Sequence, residues 1–321
     1  MQHIEETSSS LSILSHNNKE KLFGIMNETM TAMGARLLQS NNLQPLTDQR
    51  AIITRLDCVQ ELSQAEEMFY ALKSSLRLLN DVDHLITAFI QVPTKPNVRH
   101  SEQSINHIIN LKHTLLSIGH LAGVRAVPEP VPQTILRLLT DSRLEHFLRL
   151  IDEVIEKNVV LEKTAVGIRN QRCFAVKAGC NGLLDVVRQT YKETINDIFE
   201  MVNRYVEDYN IHLKAQFNTA IGYYLSTGKN KTLTSTTLEL VKKNAKINNS
   251  QTEVCLMSDK IVSELSGNIR QDIGVLYKAS EAIAMPDMLL PFAHLCSVNE
   301  YIRPEFIDTL AIKKGRHIFV K

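Results

Sequence analysis

Residues Leu22 to Leu62 read LFGIMNETMTAMGARLLQSNNLQPLTDQRAIITRLDCVQEL. This stretch predicts two helices around a compact turn. Gly34 and Arg36 open the first, and Leu37 and Leu38 supply its buried side. Pro45 ends it, because proline cannot extend a helix and pushes its predecessor toward extended geometry. Thr47 or Asp48 is placed to cap the second helix by accepting an orphan backbone N–H. Along that second helix Ile52, Ile53, Leu56, Val59 and Leu62 recur at intervals of three and four, giving one apolar stripe. Periodicity alone describes an αα-hairpin docked on a larger core.

The whole chain has 321 residues, enough for one large or two ordinary domains. Its formal net charge is +1, so a nucleic-acid partner would have to meet a local patch, not a global field. Twelve glycines, nine prolines, 6% aromatics and no tryptophan favour long helices over sandwiches or barrels. Five cysteines (Cys58, Cys173, Cys180, Cys255 and Cys296) are odd in number and scattered without CxxC spacing, the pattern of reduced intracellular thiols. The first twenty residues hold Glu5, Glu6 and a serine run, with no apolar stretch of signal-peptide length. No run approaches eighteen apolar residues, so no membrane partner is expected.

In chain order, residues 1–20 are a polar entry. Helix is predicted over Glu66–Ile90, Ser101–Gly119, Gln133–Leu139 and from Arg143 to about Lys157. Pro128, Pro130 and Pro132 mark a rigid loop. Arg172 to Lys177 alternates and predicts an isolated short strand. Leu184, Tyr191, Ile198 and Tyr205 recur every seven residues within a helix from about Leu183 to Tyr209, with Ile195, Val202 and Tyr209 as a second row. A return helix is predicted from Thr252 to about Ala284, carrying Val254, Met257, Ile261, Leu265, Ile269, Ile273, Leu276 and Ile283. Two long helices around some forty non-helical residues predict an antiparallel pair, out and back. The intervening Leu213–Thr227 and threonine-rich Thr232–Thr237 favour a small β element at the tip.

Catalytic chemistry is not legible. His100, His107, His113 and His120 are regularly spaced, yet seven residues of helix separate side chains by about 10 Å, too far for one zinc ion. No strand–turn–helix elbow surrounds a serine, and no cysteine sits in a histidine-paired motif. Gly222, Gly228 and Lys229 imitate a phosphate-binding loop, but the first glycine lies one residue too early and Asn230 stands where a Mg²⁺-binding hydroxyl is needed. The expectation is no enzyme activity and no catalytic, cofactor or metal residue in this chain. One charge patch stands out. Lys229, Lys231, Lys242, Lys243 and Lys246 oppose a single acid, Glu239, between positions 227 and 246. Lysines suit backbone phosphates, which reward point charge without reading sequence. A solvated loop would show the same composition.

Residue order adds a family likeness. Thr31-x-Met33-Gly34-x-Arg36-Leu37-Leu38, Gln44-Pro45-Leu46 and Arg55-Leu56-Asp57 with Val59 and Glu61-Leu62 resemble the opening of the MutS core domain. Phe217-Asn218 followed by Gly222-Tyr223-Tyr224 is similar to the first strand of that family's clamp, and Gly315-Arg316-His317 to its turn into the ATPase domain. Asn170–Val176, Met288-Leu289-Leu290-x-Phe292-Ala293-His294 and Tyr301-x-Arg303-Pro304-Glu305-Phe306 look most like the meiotic crossover branch. The resemblance implies a mainly α fold: a MutS-type helical core, two long antiparallel lever helices and a small β clamp at their tip. It divides the chain into 1–20, a polar segment; 21–206, core and outgoing lever; 207–250, a shortened clamp; 251–300, return lever and core closure; and 301–321, leading toward the ATPase domain.

By the same likeness the protein is a nuclear, DNA-binding structural subunit that encircles duplex or branched DNA, with MutS homologue five as heterodimer partner. The five lysines become phosphate contacts, since the family's clamp crosses over DNA. ATP and Mg²⁺ serve the full-length family, but no GxxxxGK[ST] loop occurs in this chain. Pro286 and Pro291 are expected to interrupt a helix that the family leaves unbroken, and the Phe-x-Glu wedge of mismatch-reading members is absent. General mismatch repair, and a helical protein scaffold that never touches DNA, are the alternatives.

Overall fold

The computed structural model describes residues 22–91, 97–123, 133–159, 162–227, 231–235, 237–313 and 315. It is mainly helical, with one three-stranded sheet. The chain divides into two compact units, the first formed by 1–86, 113–145 and 273–321, the second by 87–112 and 146–272.

The first unit is built on helix α12 (Gly274–Asn299), against which α1 (Leu22–Met26), α2 (Ala32–Leu43), α3 (Gln49–Gln64), α4 (Glu66–Leu76) and α7 (Gln133–Leu139) pack. From Val275 to Ala293 most positions of α12 are buried on every side, including Ala279, Ile283, Leu289 and Leu290. A helix apolar all round belongs in the middle of a core. Pro286 and Pro291 lie inside it, and contrary to expectation they do not interrupt it. A helix-interior proline costs about 3 kcal/mol. Here both rings are buried, and their packing offsets part of that cost.

Asp287, fully buried, connects α12 to the opening hairpin. Its carboxylate accepts hydrogen bonds from the Met30 N–H at 2.7 Å, the Thr31 N–H at 2.8 Å and the Thr31 hydroxyl at 2.6 Å. Thr31 in turn caps α2, its hydroxyl accepting from the Gly34 N–H at 3.0 Å. Gly34 is glycine because of this approach: a Cβ there would stand 2.2 Å from Asp287 Oδ2.

The motif arginines have partners in the same unit. Arg36 reaches Asp81 at 2.7 Å and Asp83 at 2.6 Å, tying α2 to the start of α5 (Val82–Ile90). Arg55 donates to Asn41 at 2.7 Å, bracing α3 on α2. Asp57 pairs with Arg303 at 2.6 Å, which fixes the segment following α12 to α3. Asp48, rather than Thr47, caps α3. The predicted helix Glu66–Ile90 is two helices, α4 and α5, separated by Arg77–Asp81.

The second unit holds the start of α6 (Val98–Gly123), the end of α8 (Ser142–Val154), α9 (Ala165–Phe174), α10 (Gly182–Tyr209), the sheet, and α11 (Leu238–Gln271). The predicted strand at Arg172–Lys177 is corrected: Arg172 to Phe174 end α9, and Val176 alone makes a β-bridge, to Ile155. Alternation over six residues could not distinguish a strand from the last turn of a helix and its exit.

Helix α10 follows the heptad reading, with Leu184, Tyr191, Ile198 and Val202 buried and Tyr209 exposed at its end. Its mate differs from expectation. Helix α11 starts fourteen residues earlier than predicted, and a break at Asp272–Ile273 separates it from α12. Tyr205 bonds Glu239 and Asp197 pairs with Lys243, so the two helices run antiparallel through a stretch that had read as non-helical. Farther along, Gln251 donates to Glu102 and Arg270 to the Phe89 carbonyl, laying the second half of α11 along α6 and α5. The α11 start was hidden because its buried apolar residues, Leu240 and Ile247, are few, and the residues bonded or buried between and after them, half-buried Asn244, exposed Asn248 and buried Ser250, are polar.

Candidate nucleic-acid interface

Strands β1 (Leu213–Asn218), β2 (Gly222–Thr227) and β3 (Lys231–Ser235) form an antiparallel sheet in chain order between α10 and α11. Asn210, at φ 50°, closes α10 in the left-handed conformation and turns the chain into β1. Pairing of Ala215 with Leu225 and Phe217 with Tyr223 puts these side chains on one face. Tyr223 and Leu225 are buried there, and Tyr223 meets the Phe199 ring of α10 edge to face. Burial pushes the Tyr223 phenol above its ordinary pKa.

Asn244 of α11 fastens the sheet. It accepts from the Tyr223 N–H at 2.9 Å and donates to the Tyr223 carbonyl at 2.8 Å, replacing a neighbouring strand. Gly222, at φ +82°, begins β2 with the Asn244 amide where a Cβ would stand. Its surroundings are therefore taken by protein, and it does not open a nucleotide-cradling loop.

The opposite face of the sheet meets solvent. Lys214 and Gln216 are exposed, and the Tyr224 hydroxyl donates to Gln216 at 2.8 Å. Lys214 was not singled out from sequence, and only the β1 alternation of exposed and half-buried residues reveals where it points.

The five expected lysines fare differently. Lys229 lies outside the described residues. Lys231 begins β3, and its backbone pairs with Thr227. Lys242 and Lys246 are exposed and one helical turn apart on α11. Lys243 turns to α10, where its ammonium lies 3.1 Å from Asp197. Of the three α11 lysines, two thus share an exposed face, and the third is engaged in a part-exposed ion pair worth at most about 1 kcal/mol. On the outer side of α10 exposed Glu200, Glu207 and Asp208 outnumber exposed Arg204, so that side is acidic on balance, unlike the start of α11 and the sheet.

Among the described residues no three His, Cys, Asp or Glu side chains gather into a metal-ligating group. Burial pushes the Cys58 and Cys173 thiols up to about 11 and Cys255 to about 12, so at neutral pH these cysteines are protonated and poor nucleophiles. None of the described helices is long and apolar enough to cross a membrane.

Residues 6–293 match the family described as MutS domain III. The chain is 36% identical to human MutS protein homolog 4, over 94% of this chain and 34% of that protein. It is 32% identical to the Arabidopsis thaliana DNA mismatch repair protein MSH4, over 94% of this chain and 42% of that one. With the Clostridioides difficile DNA mismatch repair protein MutS it shares 26% over 96% of this chain and 33% of the other. The chain spans between about a third and two fifths of the length of these relatives. The helical core around α12, the antiparallel pair and the intervening sheet agree with that match: the chain belongs to the MutS family and is similar over nearly all its length to the family's MutS protein homolog 4 members.

Proposed function

We propose that this chain is a DNA-binding structural subunit of a MutS-type meiotic recombination complex, acting in the nucleus to promote crossover formation. Its α10–α11 arm and sheet surround duplex or branched DNA together with the equivalent arm of MutS homologue five, the expected heterodimer partner. The observation that carries the reading is the exposed pair Lys242 and Lys246, one turn apart beside a sheet whose solvent face bears Lys214. Lysine ammonium groups are strongly hydrated point charges, suited to phosphates whose positions do not depend on sequence. Lys229, Lys231 and Lys243 extend the same basic stretch, Lys243 on exchanging Asp197 for a phosphate. ATP and Mg²⁺ are cofactors of the full-length family, and no residue described here is assigned to hold them.

The test is the salt dependence of duplex binding with the partner present. Each phosphate-engaged lysine contributes about 0.9 to the log–log slope. Changing Lys242, Lys246 and Lys214 together to glutamine is expected to flatten the slope by about 2.7 while weakening all sequences alike. An unchanged slope in a folded triple variant would favour a scaffold that does not touch DNA.

A further inference from the structure

We propose that a cavity between α9, the β1–β2 turn and α11 is a phosphate-binding site centred on Arg169. The cavity, about 560 Å³, lies within the second unit. This is the size of a small-ligand pocket. Its cations are Lys163, Arg169 and Arg172, and its carboxylate is Glu102. Glu102 is already engaged: one oxygen pairs with Arg172 at 2.7 Å and the other accepts from Gln251 at 3.2 Å. Among the described residues no carboxylate pairs with Lys163 or Arg169. Glu162 is near in sequence, but its carboxylate sits by Thr164 and Gly167 at the first turn of α9 and lines a different cavity.

Arg169 is the telling residue. It is 8% exposed, so its charge has been taken out of water, yet no carboxylate among the described residues pairs with it. Its Nη2 donates to Asn248 at 2.8 Å, its guanidinium lies over the Phe217 and Tyr191 rings, and its Nε is buried without a hydrogen-bond partner. Arg188, the other buried arginine among the described residues, also has one unbonded nitrogen, Nη2, but it has the Asp185 carboxylate beside it as well as the Cys173 carbonyl. Neutral amide and ring contacts offset only part of the cost of burying a guanidinium, and an anion completes the offset. The planar fork of Arg169 matches phosphate oxygens, and exposed Lys163 adds a mobile point charge at the rim. Thr219, on the β1–β2 turn, offers a neutral donor from the other side.

This site is separate from the lysines proposed to meet DNA. Lys246 and Asn248 are two residues apart, about 200° around the helix, so the cavity and the exposed lysines occupy opposite faces of α11. The phosphate could belong to a free phosphate ester or to a nucleic-acid backbone, and the recognition chemistry is shared.

The experiment follows thermal melting and calorimetric titration of the intact chain with potassium phosphate, against potassium chloride at matched ionic strength. The expected result is a saturable, phosphate-dependent rise in melting midpoint. Lys163→Gln, a rim change, should leave the phosphate-free midpoint unchanged and weaken phosphate about tenfold, as expected for one lost charge-assisted contact. Arg169→Lys should weaken it further by removing the fork, and a Lys242→Gln/Lys246→Gln variant should bind phosphate normally. No rise beyond chloride, equal stabilisation by acetate, or an unaltered titration in Lys163→Gln would overturn the proposal. Competition by a single-stranded oligonucleotide, relieved in Lys163→Gln, would assign the site to a backbone phosphate. Competition by glycerol phosphate alone would assign it to a free ester. Loss of duplex binding in the α11 lysine variant with phosphate binding intact would separate this proposal from the DNA reading.

Discussion

Two buried charges, one in each unit, have opposite surroundings. Asp287, in the core of the first unit, is surrounded by three donors, and every one of them belongs to the start of α2. Arg169, in the second, keeps one amide acceptor, two aromatic faces and an orphan Nε beside a cavity. Both pay to leave water. A fully bonded buried charge acts as a structural pin, whereas a partly bonded one beside open space is poised to meet something from outside. The helices involved follow the same division: α12, which carries Asp287, is buried at most positions, while α11, which carries the Asn248 partner of Arg169, has a packed face and exposed lysines at 242 and 246.

The sharpest way to break this comparison is to crowd the satisfied charge. Gly34→Ala would place a methyl 2.2 Å from Asp287 Oδ2, and that carboxylate cannot withdraw without freeing three donors. Destabilisation of about 3–5 kcal/mol is expected, read as a lower denaturation midpoint. A loss under 1 kcal/mol would show that the Asp287–Thr31 connection is pliable.

Asp287→Asn is the next step down. The amide presents N–H groups to N–H donors, and a loss of about 2–3 kcal/mol at neutral pH is expected. The pH dependence has a definite sign. Burial raises the Asp287 pKa above the ordinary carboxylate value of 3.8, more than its hydrogen bonds lower it. The folded state therefore holds its proton more tightly than the unfolded one. Asp287's proton-linked contribution is fully present below 3.8 and is lost as pH rises through the raised folded value. Asp81 has the opposite sign, since the hydrogen bond from Arg36 lowers its pKa. Its contribution is present above 3.8 and is lost as pH falls through the lowered value. Melting midpoints of Asp287→Asn and Asp81→Asn against wild type should thus diverge in opposite directions with pH. Parallel curves would refute the assignment.

On the exposed side, a Lys242→Gln/Lys246→Gln variant should melt within about 0.5 kcal/mol of wild type. Its DNA salt slope should fall by about 1.8, measured by titration at several salt concentrations. Lys243→Gln should change the slope least, because Asp197 already holds that ammonium at 3.1 Å and must be displaced. Equal slopes for Lys242→Gln and Lys243→Gln single variants would mean that the ion pair does not persist in solution.

Sequence by itself determined the elements whose signal is local. The α2–α3 hairpin follows from apolar spacing, a proline stop and a cap at Thr47 or Asp48, and α10 from its heptads. The family likeness rested on residues that the structure then linked in space: Gly34 against Asp287, Arg36 with Asp81 and Asp83, and Asp57 with Arg303. Those pairings join residues far apart in the chain, Gly34 with Asp287 and Asp57 with Arg303, and leave no periodic trace. Tertiary structure alone decided the rest. The start of α11 is helical because polar Asn244 and Asn248 are bonded to the sheet and to α9, so a stretch that reads as loop gains packing partners. Pro286 and Pro291 remain in α12 because neighbours on all sides compensate for missing backbone bonds. Which of the α11 lysines faces water, and that Arg169 lacks the carboxylate given to Arg188, depend on helix rotation and neighbouring elements. Composition counts charges along a chain; only packing determines which of them are neutralised.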